Sequence, residues 1–577
     1  MASLALFMTG VAGSGILSSY AEAAPLALRK LPPQLGPNAR TLYHEVFADI
    51  HQHRYAAAIN ALSAMPEGPL HNVARAEIIL AKGSPKATLD SILALLASAP
   101  ELPEGAALEH LATLRGATSL PALPPEQDMA WLGAAPHRGH TEAAEDAARS
   151  GVAGTIIGDI KNDQPALAES YLDTNSSALN SDTLTEMRQR IAWSYFLTGN
   201  DSAARALAAK AHDGTGEWAA QSDWIAGLAA WRQHDYRGAA SNFISTAQRA
   251  HNAELVAAGY FWAARAALNA QAPHAVAEYL RAAASKSETF YGLLAQGQLG
   301  ERFTPVDDPT LARIPGVEAL PNVRAALALA EIGENHLADE FIRHQARIGD
   351  RQDHTALALL SGQMNLPATQ LWLAHNGPMG AVASTAARYP SPDTWVPQGG
   401  WRIDRFLAFA HILQESRFQT NVTSAAGARG LMQVMPGTAA LIARHKGLVL
   451  DSLYNPSTNL TIGQYVIEKY RDAPETEGFL PKVIAAYDAG TTPIGTWNLK
   501  ATDNGADPLL YIESIPYWET REYVTTVLRN YWMYEMENGS HMQSLNALAQ
   551  GMWPKFPSMH GAVAVRIDQV THLASAR

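Results

Sequence analysis

From about residue 38 to residue 300, apolar positions recur with helical periodicity between short polar breaks, in a background rich in alanine and leucine. Three stretches look alike: Ile191-Ala-Trp-Ser-Tyr-Phe-Leu-Thr-Gly-Asn, Trp224-Ile-Ala-Gly-Leu-Ala-Ala-Trp-Arg-Gln, and Gly259-Tyr-Phe-Trp-Ala-Ala-Arg-Ala-Ala-Leu. Trp193, Trp231 and Trp262 are spaced by 38 and 31 residues. A large aromatic on one helix, a polar turn and an alanine-rich helix form the pattern of stacked helical hairpins. The alanines let helices approach closely and the aromatics fill the gaps between layers. This predicts an α-solenoid, and its irregular period fits an open superhelix. Pro305, Pro309, Pro315 and Pro321 mark a linker, followed by a smaller helical stretch over about 321–385. A second proline-rich joint, Tyr389-Pro-Ser-Pro-Asp-Thr-Trp-Val-Pro397, precedes a helical segment over about 398–540. Alternation of period two is nearly absent, so the expected class is all-α.

The first residues carry a different pattern. Leu4 to Ser19 is mostly apolar and small, and Ala21-Glu22-Ala23-Ala24-Pro25 follows. This resembles a signal-peptide core with its cleavage site, although Met1-Ala2-Ser3 lacks the usual positive charge; a buried or disordered apolar terminus is the alternative. The run is too short for a permanent membrane span. The expected divisions are a signal peptide (1–24), a superhelical domain (25–310), a helical linker domain (311–390) and a C-terminal domain (391–577).

Composition narrows the chemistry. A net charge of −12 argues against a nucleic-acid partner, whose phosphates need a basic face. The absence of cysteine excludes disulfides, thiolate metal sites and cysteine nucleophiles. The histidines are scattered, without His-Glu-x-x-His or a carboxylate–histidine cluster at ligand spacing, and His51 and His53 do not share a helix face. Neither a metal nor a cofactor is expected.

The most informative stretch is 412–438. Glu415 closes an apolar helical run containing Phe406, Leu407, Phe409, Ala410, Ile412 and Leu413. A glycine-punctuated turn, Ser424-Ala-Ala-Gly427-Ala-Arg-Gly430, leads to Leu431-Met432-Gln433. A lone carboxyl between apolar faces stays protonated near neutral pH and can protonate the leaving oxygen of a glycosidic bond. Two more blocks follow: Ala485-Ala-Tyr487-Asp488-Ala-Gly490, and Glu513-Ser-Ile-Pro-Tyr-Trp-Glu519-Thr-Arg521-Glu-Tyr523-Val. Together and in this order, the three blocks resemble the catalytic core of the soluble lytic murein transglycosylases, in the large branch that carries a superhelical domain.

The resemblance implies a lysozyme-like catalytic domain beside a U-shaped superhelix that a linker domain closes into a ring. It implies exported, periplasmic action on peptidoglycan glycan strands, by a chain expected to be a monomer. Glu415 would act as both acid and base in a non-hydrolytic cleavage that leaves 1,6-anhydro ends, and a closed ring would favour exolytic action. Ser424 matches a serine near the reacting centre, and also reads as a turn serine. Gln433 and Met435 match positions lining the sugar cleft, while Met432 reads as packing. Tyr487 matches a tyrosine whose hydroxyl holds the glutamate, and also reads as a core tyrosine. Glu513 matches a carboxylate facing the cleft, whereas Glu519 and Arg521 read as an internal ion pair. Asp488 stands where the family usually has asparagine, a charge that would raise the Glu415 pKa if the two are close. The alternatives are a goose-type-lysozyme-like hydrolase and a non-catalytic helical scaffold.

Overall fold

The computed structural model describes residues 31–143, 151–301, 314–382, 384–500 and 505–567. The expected signal peptide and most of the first proline-rich linker lie outside them. The all-α expectation holds: apart from two short two-stranded ribbons, the described regular elements are helices.

The helices gather around two cores. Nine helices over 151–299 stack in sequence, each against the next. Gly259 permits a close approach, because a Cβ there would meet the Phe243 carbonyl oxygen at 2.7 Å. Trp224, Trp231 and Trp262 meet edge-to-face at the centre, with ring centroids 5.3–6.0 Å apart. Of the three spaced tryptophans, Trp231 and Trp262 thus belong to one layer of interlocking aromatics, whereas Trp193 stacks on Phe196 instead. This stack shares one continuous core with the C-terminal helices, through contacts such as Phe290 on Trp532.

The second core cuts across the expected boundary near residue 310. Five helices over 37–114 pack with the helices of 314–387, not with the stack that follows them in sequence. The junction is tied by Gln34 N–H and Arg40 Nη2, which donate to Glu331 at 2.6 and 2.7 Å, and by Asn322 donating to the Glu101 carbonyl at 2.6 Å. The strand Met129–Trp131 pairs antiparallel with Asn376–Pro378. The segment after it runs to the C-terminal helices, where the His137 and Arg138 side chains find partners. The N-terminal helices and the linker helices are therefore one packing unit.

Candidate active site

The helix Arg405–Glu415 starts at Asp404, whose carboxylate caps the Phe406 N–H at 2.9 Å and also accepts from the Tyr531 hydroxyl at 2.8 Å. Residues Phe406 to Ile412 are all buried, so the apolar run is the reason this helix sits in the core. It ends at Glu415. Arg417 and Phe418, neither of them glycine, then adopt left-handed backbone with φ of 51° and 62°. Such a pair is costly and must be held by its surroundings. Phe418 is 1% exposed and packs on Phe409 and Trp395, which anchors the turn. The result is a half-buried carboxyl at the negative end of a helix dipole, a position that disfavours its charge.

The loop that follows is clamped by Asn459, fully buried, whose amide donates to the Arg429 and Leu453 carbonyls and accepts from Met432 N–H. Gly430 makes this possible: its φ is +72°, and a Cβ would lie 2.1 Å from the Leu453 carbonyl oxygen. Ser424 is exposed and its hydroxyl accepts from Ala428 N–H at 3.1 Å, so here it shapes the turn. Gln433, half-buried with φ 45°, donates to the Gly430 carbonyl at 2.8 Å. Met432 is buried packing, whereas Met435 is 45% exposed on the surface beside it.

The third wall comes from the helices Leu480–Ala489 and Trp518–Glu537. Tyr523 donates its hydroxyl proton to Glu415 Oε1 at 2.7 Å. The Tyr487 hydroxyl goes instead to the Met432 carbonyl at 2.7 Å, bracing the loop rather than holding the glutamate. His411, one turn before Glu415 and 1% exposed, places Nδ1 2.8 Å from Tyr523 Oη and its ring 4.6 Å from that of Tyr487. Tyr523 and His411 are thus site residues that the motif reading did not single out. Tyr523 lay inside the third block; His411 was hidden because it belongs to a run read only as apolar.

Burial pushes the Glu415 carboxyl up to about 7; the Tyr523 hydrogen bond acts the other way, and the Asp488 charge adds to the rise. The closeness expected of Asp488 is therefore felt at Glu415. Asp488 is itself exposed and accepts a hydrogen bond from the Thr520 hydroxyl. Burial drives the His411 imidazole down to about 3, so it is neutral. The Tyr487 and Tyr523 phenols are raised well above their ordinary value by burial and by the nearby Glu415 charge, and remain proton donors. The arrangement is an acid that is protonated near neutrality, aimed from an apolar helix end beside a loop of backbone polar groups.

Glu513 is not part of this cluster, which corrects the expectation that it faces the cleft. It is 1% exposed, paired with Arg138 Nη1 at 2.8 Å and accepting from the Tyr291 hydroxyl at 2.7 Å. Tyr291 belongs to the helical stack, so Glu513 joins the two ends of the large core. Arg521 lays its guanidinium over the Trp193 ring, 4.6 Å from the centroid, and donates to the Ile515 carbonyl, in place of the ion pair expected with the exposed Glu519.

Residues 397–509 match the transglycosylase SLT domain family. This SLT segment carries Glu415, the clamped loop and Tyr487, whereas Tyr523 lies just beyond it. Among curated proteins, the chain is 29% identical over 267 residues to a putative soluble lytic murein transglycosylase of Haemophilus influenzae. It is 36% identical over 137 residues to the soluble lytic murein transglycosylase of Escherichia coli. These matches take in 44% and 22% of the chain, and only 43% and 20% of the relatives' own lengths. In structure, the chain is similar to the 70 kDa soluble lytic transglycosylase of Escherichia coli, with a TM-score of 0.52 at 15% identity, over 90% of this chain and 99% of that one. An inactive mutant of lytic transglycosylase Slt from Pseudomonas aeruginosa superposes with a TM-score of 0.50 at 20% identity, over 88% of this chain and 83% of that one. At these identities the structural likeness speaks to the fold, and it extends from the SLT segment across the two-core helical body.

Proposed function

We propose that the chain is a peptidoglycan lytic transglycosylase acting between N-acetylmuramic acid and N-acetylglucosamine. The observation that carries this reading is Glu415 on its own: a raised carboxyl hydrogen-bonded by Tyr523, in a domain of the SLT family. Glu415 gives its proton to the leaving glycosidic oxygen as the C1–O bond breaks. The sugar's own 6-hydroxyl oxygen then attacks C1 and returns its proton to the Glu415 carboxylate. A 1,6-anhydro ring forms and no water is consumed. An intramolecular nucleophile of this kind reaches effective molarities of about 10⁵–10⁸ M, which removes the need for a second carboxylate to activate water. The Tyr523 donor suits the step in which Glu415 is ionised.

Met435, exposed beside the loop, and Gln433, at its left-handed bend, are assigned to the sugar cleft, with Ser424 at the turn that borders it. Exolytic action, a monomeric state and periplasmic location complete the proposal. No described helix is long and apolar enough to cross a membrane. The second reading, hydrolysis, draws on Asp488, a carboxylate near Glu415 that would serve as a base for water. Mass spectrometry of products from purified sacculi separates the two. Muropeptides one water lighter than hydrolytic ones, and resistant to borohydride, are expected. Reducible ends would establish hydrolysis, and no products from folded protein would favour a scaffold. Internal cuts early in digestion would refute the exolytic mode.

A further inference from the structure

The Tyr523 hydroxyl has one proton and two neighbours, Glu415 Oε1 at 2.7 Å and His411 Nδ1 at 2.8 Å. Which neighbour receives the proton depends on the His411 tautomer. An imidazole protonated at Nε2 presents a bare lone pair at Nδ1 and competes with Glu415 for the phenol proton. One protonated at Nδ1 donates to Oη and leaves Glu415 as the sole acceptor.

The surroundings decide between them. His411 Nε2 is buried and has no hydrogen-bond partner among the described residues. An orphaned buried N–H is rarer and costlier than a bare lone pair, so the proton belongs on Nδ1. The Tyr487 ring, 4.6 Å away, holds the imidazole against rotation. His411 and Glu415 are four residues apart on one helix, so both lean toward the same side. Besides His411, the titratable groups facing this carboxyl are Tyr523 from the Trp518–Glu537 helix, and Tyr487 and Asp488 from the Leu480–Ala489 helix. No cation is among them.

We propose that His411 is a positioning residue for the acid–base step: its neutral Nδ1–H donates to Tyr523 Oη and commits the phenol proton to Glu415. The proposal rests on the assignment of Glu415 as the acid. Donation into Oη polarises the phenol and strengthens its bond to the ionised carboxylate, the form Glu415 takes between its two proton transfers. An imidazole already drawn neutral by burial holds one tautomer across the working pH range.

The test is the pH dependence of kcat/KM on sacculi for wild type, His411→Phe, His411→Asn, Tyr523→Phe and the double variant His411→Phe/Tyr523→Phe, with products identified by mass. Losing the donor weakens stabilisation of ionised Glu415. In His411→Phe the alkaline limb should therefore move to higher pH, and activity should drop about 3- to 10-fold. His411→Asn, whose amide N–H lies close to the Nδ1 position, should restore the wild-type limb. In the Tyr523→Phe background, His411→Phe should move nothing further. An unmoved limb, or an equal shift without the Tyr523 hydroxyl, overturns the proposal.

If His411→Phe does not fold, ¹⁵N shifts of histidine-labelled wild type decide, with His411→Asn identifying the signal. An Nδ1–H neutral tautomer is expected, and Nε2–H refutes the relay. Reducing ends from wild type would sink the transglycosylase reading alone, because a hydrolase needs the same acid and the limb comparison still applies. An inactive wild type would likewise fail that reading, leaving the tautomer to judge His411.

Discussion

Glu415 and Glu513 are both shielded from water, and the protein surrounds them in opposite ways. Glu513 meets a guanidinium and a phenol in a site 1% exposed. Its charge is matched, and it joins the helical stack to the C-terminal helices. Glu415 meets a phenol and, behind it, an imidazole kept neutral; the nearby charge that acts on it, Asp488, has the same sign. The first environment makes a carboxylate structural and the second makes it an acid. What separates them is a guanidinium paired with Glu513 and none paired with Glu415 among the described residues.

The comparison breaks most visibly on replacing each carboxyl with its amide. Glu415→Gln should lower anhydro-product formation by about 10³-fold or more while the protein remains folded, because the amide fits a neutral site. Glu513→Gln should instead destabilise by about 3–5 kcal/mol in urea unfolding, leaving Arg138 buried without its counter-charge. A double replacement, Arg138→Met with Glu513→Gln, should recover part of that loss.

The two residues also differ in how pH reaches them. Glu415 is raised from 4.5 to about 7. In its proposed role as general acid it must be protonated, so activity should fall as pH rises through about 7. In the same window the folded state holds a proton that the unfolded chain has released. The stability this contributes is fully present below about 4.5 and is lost as pH rises through about 7. Glu415→Gln stays neutral, so it should exceed wild-type stability by about 1–3 kcal/mol in melts at pH 8.5 and match it at pH 4. The smallest expected effect belongs to Asp488→Asn. Removing a like charge from an exposed position should move the alkaline limb of the activity profile down by a few tenths of a unit, solvent screening keeping the shift small.

Periodicity in the sequence revealed the helices and part of the aromatic layer: Trp231 and Trp262 meet in it, while Trp193 lies against Phe196 and under Arg521, and Trp224 completes the layer in its place. It did not reveal which helices share a core. An apolar stripe shows that a helix must be covered and not by what, so the union of 37–114 with 314–387 was illegible. Glu415 stood out through its motif and its apolar flanks. His411 did not, because a buried imidazole within an apolar run carries no local mark of the hydroxyl it meets 112 residues later. Glu513 was misplaced for a related reason: a motif fixes a residue's place in the chain, and the direction of its side chain depends on Arg138 and Tyr291, 375 and 222 residues away.

The union of the first five helices with the linker helices also bears on how the polypeptide comes into being. The Glu331 carboxylate that ties down Gln34 and Arg40 is made almost 300 residues after them. At the usual 5–20 residues per second, the ribosome needs roughly 10 to 40 seconds between finishing the fifth helix at residue 114 and reaching the first partner helix at residue 314. Throughout that interval the leucine- and alanine-lined faces around Phe47, Leu62, Val73 and Leu96 wait for their cover. Completion of the five-helix unit therefore waits on residues 314–387, and a truncation before residue 314 leaves the apolar faces it shares with them open.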